Sequence, residues 1–130
     1  MSAAAVRAML DALNGEGVEA ALDWFAEDFH GIVPPDLSAE PDAYRGHDGV
    51  RRYFESFREI VDDLRFDADD LVDVAPGAVA ARGHITGRGR ESGVPIEMRV
   101  PMVIRLREDK LVEMTGYREW EDALAAARYG

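Results

Sequence analysis

The 130-residue sequence contains no cysteine, which excludes several kinds of protein. A disulfide framework, a zinc site with thiolate ligands and a cysteine nucleophile all require that residue. Long apolar runs are missing too, so no stretch approaches the roughly 20 residues of a membrane-spanning helix. The first residues mix Arg7 and Asp11 with an amphipathic pattern, unlike a signal peptide. We therefore expect a soluble, cytoplasmic protein.

Positive charge and histidine are both scarce. Lys+Arg number 15 against 26 Asp+Glu, which gives a formal net charge of −11. Such a field repels phosphate backbones and anionic lipids, so we expect neither nucleic acid nor a membrane as a partner. No two of the 3 histidines have the spacing of a metal-binding pair. We therefore expect no metal and no other cofactor.

The pattern that is present centres on residues 94–106, where apolar residues occupy every even position. They are Val94, Ile96, Met98, Val100, Met102, Ile104 and Leu106. This alternation predicts a long strand with one buried face. The glycine-rich residues 87–93 predict a hairpin loop from a preceding strand at 78–86. A polar turn at 107–110 leads to a returning strand at 111–118, so three strands form an antiparallel meander.

The rest of the chain predicts helices and two more strands around this meander. Apolar residues at helical spacing predict helices at 3–13, 18–25, 46–64 and 119–128. Further strands are predicted at 29–33, where Pro34 ends the ladder, and at 66–74. Residues 34–45 predict a surface loop of the length typical of lids and cavity mouths. Helices on one face of an antiparallel sheet make this a single α+β domain spanning residues 1–130.

This order of elements and several short sequence segments resemble the SnoaL-like branch of the nuclear transport factor 2-like superfamily. The segments are Trp24-Phe25-Ala26-Glu27-Asp28, Tyr44-Arg45-Gly46-His47-Asp48-Gly49-Val50, Gly87-Arg88-Gly89-Arg90-Glu91-Ser92-Gly93-Val94, and Tyr117 followed by Glu121-Asp122-Ala123-Leu124. The resemblance covers nearly the whole chain. It implies a cone-shaped fold in which a curved, mostly antiparallel sheet carries the N-terminal helices on its concave face. It also implies a pocket between the sheet and the helices, and a homodimer formed through the outer face of the sheet.

The resemblance leaves several functions open, because this fold hosts cyclases, isomerases, an epoxide hydrolase and binding proteins. The isomerase chemistry uses two carboxylates, and the resemblance places Val33 and Met102 at those positions. Neither side chain can transfer a proton or donate a hydrogen bond to an oxyanion, so we exclude ketosteroid isomerase activity. A polyketide cyclase-, isomerase- or lyase-like enzyme stays an alternative if one of four side chains faces the pocket: Asp36, His30, His84 or Glu97. Strand alternation predicts His84 on the polar outer face instead.

Binding of a small, largely apolar molecule is the leading hypothesis. The predicted binding residues point into the pocket or lie at its mouth: Trp24, Val33, Tyr44, Phe54, Phe57, Val100, Met102, Met114 and Arg118. Arg118 is expected to anchor a ligand oxygen, and Asp36 is expected beside it at the mouth. A second alternative is a ligand-free dimerisation or partner-binding module. A void far below the roughly 300–1,000 Å³ of drug-sized sites favours that alternative.

The homodimer is expected to form through the outer positions of the meander. There, Arg99 and Glu97 could pair across a two-fold axis, where each surface meets its own copy. Tyr117 and Val103 are expected to supply the apolar centre of this contact.

Overall fold

The computed structural model describes residues 2–32 and 44–129. Its helices are α1 (Ser2–Glu16), α2 (Val18–Ala21), α3 (Gly46–Arg58) and α4 (Trp120–Tyr129), and a 3-10 turn (Leu22–Trp24) follows α2. Its strands are β1 (Phe25–Ile32), β2 (Tyr44–Arg45), β3 (Val61–Ala75), β4 (Ala78–Gly89), β5 (Pro95–Arg107) and β6 (Lys110–Gly116). None of the helices in this part of the chain is long and apolar enough to cross a membrane.

Within the described residues, the strands form one six-stranded sheet in the order β2-β1-β6-β5-β4-β3. Every neighbouring pair is antiparallel except β1 and β6, which are parallel. The turn between β5 and β6 consists of Glu108 and Asp109, whose φ angles are 53° and 61°. Two successive positive φ angles are typical of the tight turns that close two-residue hairpins. The predicted α+β class and the antiparallel meander are confirmed.

The main core lies between α1, α3 and one face of the sheet, which we call the inner face. Helix α1 contributes residues at helical spacing, Val6, Met9, Leu10 and Leu13, all of them buried. The end of α1 is fixed to β3 through Asn14, whose side-chain amide donates to the carbonyl oxygen of Phe66 at 2.7 Å. In return, the backbone N–H of Phe66 donates to the Asn14 side-chain oxygen at 2.9 Å. This two-point contact sets how far α1 lies above the sheet.

Helix α4 covers one end of the opposite face, which we call the outer face. The contact is made of small side chains, with Ala78 and Ala80 of β4 against Ala123 and Ala127 of α4. Val103 of β5 lies beneath the helix and is only 2% exposed. The expectation that Val103 forms the apolar centre of a dimer contact is therefore wrong, because α4 of the same chain already covers it.

Beyond α4, the outer face is polar and charged, as predicted for His84 and its neighbours. Arg82 lies over the ring of Trp120, 4.3 Å from its centroid, and pairs with Asp70 at 2.9 Å. His84 Nδ1 lies 3.2 Å from an oxygen of Asp69. These pairs connect β3 to β4 across the solvent side of the sheet.

Several predicted boundaries were wrong, and long-range strand pairing explains the main differences. Helix α3 ends at Arg58 rather than at residue 64, because Val61 pairs with Gly89 and so begins β3. The same pairing extends β4 through Gly89, where a loop was expected. Strand β1 begins at Phe25 rather than at residue 29, because Phe25 pairs with Leu111 of β6. Local periodicity does not report such partners.

Candidate ligand-binding cavity

A cavity of about 50 Å³, the first cavity, lies between α3 and the inner face of the sheet. Its wall residues come from β1, β2, α3, β5 and β6. They are Phe25, Phe29, Gly31, Tyr44, Val50, Tyr53, Phe54, Val100, Met102, Met114, Thr115 and Gly116. Most of these side chains are aromatic or aliphatic. The wall therefore suits an apolar molecule with few polar groups.

A second cavity, also of about 50 Å³, lies beneath α1. Its wall includes Val6, Met9, Leu10 and Leu13 of α1 together with core residues of β3, β4 and β5. The two cavities share five wall residues, namely Tyr53, Phe54, Val100, Met102 and Met114. These residues form the partition between the two spaces. Methionine side chains are flexible, so this partition can change shape more readily than a branched aliphatic wall.

The alternation of β5 produces much of this wall, as the sequence predicted. Val100 and Met102 point inward, and β4 presents Gly83 beside them in register with Val100. A Cβ on Gly83 would lie 2.9 Å from the Val100 carbonyl oxygen and 3.1 Å from Met102 Cε. Glycine at this position therefore lets Met102 lie close against β4.

Among the described residues, the polar side-chain groups of the first cavity's wall are the phenols of Tyr44 and Tyr53, because Thr115 pairs with the outer-face residue Val103 and directs its hydroxyl to Glu113. Burial raises the pKa of Tyr53 to about 12, with a smaller contribution from the nearby Tyr44. The Tyr53 phenol is therefore neutral at physiological pH and can donate a hydrogen bond. Among the described residues, this wall contains no carboxylate and no imidazole. Its chemistry is that of an apolar space with neutral hydrogen-bonding groups.

The structure brings together five of the predicted binding residues in the wall of the first cavity: Tyr44, Phe54, Val100, Met102 and Met114. Trp24 and Phe57 are partly buried and pack against the main core, but they do not line the cavity. Arg118 is exposed between β6 and α4 and is not one of the wall residues. Val33 and Asp36 lie outside the described residues. That any of these residues binds a ligand stays a prediction.

Several wall residues were not assigned to the site from the sequence. The sequence pattern puts Phe25 in a helix, and it shows Val50 and Tyr53 only as part of the apolar stripe of α3. Phe29 and Gly31 flank His30 in one strand, so alternation places them on the same face of the sheet, opposite to His30. This spacing was the only sign in the sequence that both could line the cavity. Without the parallel pairing of β1 with β6, however, the sequence could not show which face that was.

The candidate acid–base residues in the described chain do not lie in the wall of the first cavity. His84 Nε2 lies 3.2 Å from a Glu97 oxygen, without the alignment of a hydrogen bond. His84 and then Arg99 hold the pKa of the Glu97 carboxyl below its usual value, on the exposed outer face. His84 also borders the second cavity, where it flanks the inward Gly83. His30 alternates against the inward Phe29 and therefore faces away from the first cavity.

A larger, polar groove of about 540 Å³ lies on the surface near the turn between β5 and β6. Its charged groups are largely paired with neighbours. Arg107 contacts Asp28 at 2.9 Å, and Lys110 donates to the backbone carbonyl of Asp23. No group of three or more potential ligand residues in the described chain could hold a metal ion. The apolar cavities are therefore the stronger candidate site.

A mostly antiparallel six-stranded sheet with N-terminal helices and an apolar space between them defines the nuclear transport factor 2-like, or cystatin-like, class of α+β proteins. Residues 6–114 match the family model of the SnoaL-like domain. The chain therefore belongs to the SnoaL-like family. No curated protein matches it significantly.

Solved structures of similar fold come from several bacteria. IdmH from Streptomyces antibioticus, a proposed polyketide cyclase, has a TM-score of 0.77 and 20% identity, covering 98% of this chain and 97% of that one. A nuclear transport factor 2-like protein from Burkholderia thailandensis has a TM-score of 0.75 and 23% identity, covering 99% and 98%. A protein with a ketosteroid isomerase-like fold from Catenulispora acidiphila, solved in complex with trimethylamine, has a TM-score of 0.71 and 15% identity, covering 95% and 91%. Identities this low establish the shared fold alone.

Proposed function

We propose that this chain binds a small, largely apolar molecule in the cavities between the sheet and the helices. The observation that carries the proposal is the wall of the first cavity, which is built from aromatic, aliphatic and methionine side chains. Phe25 and Phe29 form one edge-to-face pair at 4.9 Å, and Tyr44 and Tyr53 form another at 5.1 Å. Such ring edges and faces favour a flat apolar ligand.

The size of the cavities restricts the ligand. Each measures about 50 Å³, whereas drug-sized sites occupy roughly 300–1,000 Å³. A cavity of about 150 Å³ holds benzene. The two cavities together offer about 100 Å³, so the proposed ligand is no larger than one ring, and Met102 and Met114 must shift both to join the cavities and to widen them. The flexibility of methionine makes this movement the least costly way to open the partition.

A size series of apolar ligands tests this proposal. Thermal unfolding would be measured with benzene derivatives, naphthalene, polycyclic ketones, steroids and fatty acids. We expect the single-ring compounds to raise the melting temperature of the wild type, because ligands that bind only the folded state stabilise it by mass action. Val100→Phe should abolish that shift, since the added ring fills space next to both cavities.

The matched control is Val94→Phe, because Val94 is 58% exposed and lies outside both cavity walls. It should keep the ligand-induced shift of the wild type. If no compound of the series stabilises the wild type, or if both variants respond alike, binding in the cavities is excluded.

The small volume supports a second candidate, a ligand-free module that acts through its surfaces. A core that is merely well packed would leave voids of this order without any ligand. The size series separates the two candidates, because a ligand-free module gives no stabilisation by any compound. The enzyme alternative has less support. The described wall of the first cavity offers no acid or base, and Asp67 and His84, which border the second cavity, pair with Arg65 and Asp69 instead.

We also propose a homodimer through the part of the outer face that α4 leaves uncovered. Charges of both signs alternate there, and Arg99 lies 2.6 Å from Glu97 and 3.6 Å from Asp69 within one chain. A two-fold axis through such a patch would place each positive group near a negative group of the second copy.

A further inference from the structure

We infer that the hydroxyl of Tyr53 is the group by which the cavity recognises one acceptor atom, such as a carbonyl oxygen, on a single-ring ligand. The inference rests on the proposed function and adds a polar requirement to the ligand. It assigns Tyr53 as a specificity-determining residue.

The position of Tyr53 is fixed by neighbouring rings. It lies on α3 in the walls of both cavities. Its ring makes edge-to-face contacts with Tyr44 at 5.1 Å, Phe54 at 5.2 Å and Phe57 at 5.2 Å. Three such contacts restrict the ring torsions, so the hydroxyl is held in place before a ligand arrives. A held donor loses less entropy on binding than a mobile one.

The Tyr53 hydroxyl has no hydrogen-bond partner among the residues that the structure describes. Ser56 donates to the backbone carbonyl of Tyr53 at 2.6 Å, not to its phenol. The Thr115 hydroxyl lies on the outer face, where it donates to a Glu113 oxygen at 3.3 Å, and Tyr44 has an interaction of its own. Tyr53 is therefore the wall hydroxyl best placed to bond a ligand.

The electrostatics of the site define what the phenol can recognise. Burial raises the pKa of Tyr53 to about 12, so the group keeps its proton at physiological pH. A neutral phenol donates a hydrogen bond to a carbonyl, an ether oxygen or a ring nitrogen. An acceptor on the ligand would give this donor a hydrogen-bond partner inside the cavity. The expected ligand is thus apolar except for one acceptor.

Acetophenone and α-methylstyrene test this inference because they have nearly the same shape. Acetophenone has a carbonyl oxygen at the position where α-methylstyrene has a methylene group. Dissociation constants of both would be measured by NMR titration for the wild type and for Tyr53→Phe. The substitution should weaken acetophenone binding by roughly two- to tenfold, the range expected for one hydrogen bond, and leave α-methylstyrene unchanged. The cost of dehydrating the carbonyl is the same for both proteins, so it cancels from this comparison.

Tyr117→Phe is the matched control, since Tyr117 packs on the outer face away from both cavities. It should leave both dissociation constants unchanged. If Tyr53→Phe weakens the binding of both ligands equally, or changes the binding of neither, the inference is overturned while binding in the cavities still stands. If the wild type binds neither compound, the inference falls together with the proposed function. Circular dichroism checks that each variant is folded.

Discussion

At the residue scale, Tyr53 couples the cavity to the stability of the fold. Its folded pKa of about 12 lies above the ordinary value of 10.0, which applies when the chain is unfolded. Below pH 10, both states hold the proton and stability is independent of this group. Between 10 and 12, the unfolded state loses its proton first, so stability falls as the pH rises.

We therefore predict that alkaline pH destabilises the wild type more than Tyr53→Phe. A pKa that is about two higher in the folded than in the unfolded chain lowers the free energy of unfolding by an amount on the order of 2 kcal/mol near pH 12. Tyr53→Phe should not show this loss. Urea denaturation below pH 10 and near pH 12 measures it, with Tyr117→Phe as the control that keeps it. Equal alkaline losses in all three proteins would show that the Tyr53 phenol is not held neutral by burial.

The wall of the first cavity shows which site residues could be predicted from the sequence. Val100 and Met102 were predicted to point inward, because a period of two along a long strand reports burial directly. Tyr53 was visible as part of the stripe of α3, but its unpaired hydroxyl was not. Whether a phenol finds a partner depends on atoms brought in from β1, β2 and β6. No local pattern contains that information.

At the element scale, Gly49 allows α3 to lie close to β2. A Cβ on Gly49 would be 2.5 Å from the Tyr44 carbonyl carbon and 2.8 Å from its Cα, both backbone atoms. A Cβ on Gly15, in α1, would have nothing within 4 Å. The two glycines therefore offer the same substitution in opposite surroundings.

We predict that Gly49→Ala lowers the free energy of unfolding by about 1–3 kcal/mol, because the backbone must shift to admit the methyl group. Gly15→Ala should raise it by about 0.5–1 kcal/mol, because alanine favours helix and no clash opposes it. Chemical denaturation of both variants under one set of conditions measures the two changes. Effects of the same sign would mean that the contact with Tyr44 does not limit the approach of α3.

Element boundaries were harder to predict than element types. Residues 59–64 continue the apolar stripe of α3 in sequence, yet Val61 and Leu64 belong to β3. Pairing with β4 outweighs the local helical pattern there, as tertiary context often does. Likewise, α4 was predicted as a helix, but its place over the alanines of β4 was not. Short alanine-rich segments carry little directional information about their partners.

At the scale of the whole molecule, the two faces of the sheet have different coverings. The inner face is closed by α1 and α3, and the outer face is covered by α4 only around Ala78, Ala80 and Val103. The uncovered region carries the predicted dimer residues Arg99 and Glu97. The sequence could place these residues on one face by alternation, but it could not show that α4 removes Val103 from the same surface.

The last prediction concerns self-association through this uncovered region. Sedimentation equilibrium at micromolar concentration should give twice the chain mass of 14.4 kDa. Arg99→Glu should shift the equilibrium towards monomer, because across a two-fold axis each new carboxylate would face the acidic groups of the other copy, and the repulsion occurs twice. Arg58→Glu makes the same change of charge at an exposed position on α3, on the inner side of the sheet, and should leave the dimer intact. A wild type that stays monomeric at the highest soluble concentration, or equal dimerisation of both variants, would rule out this interface.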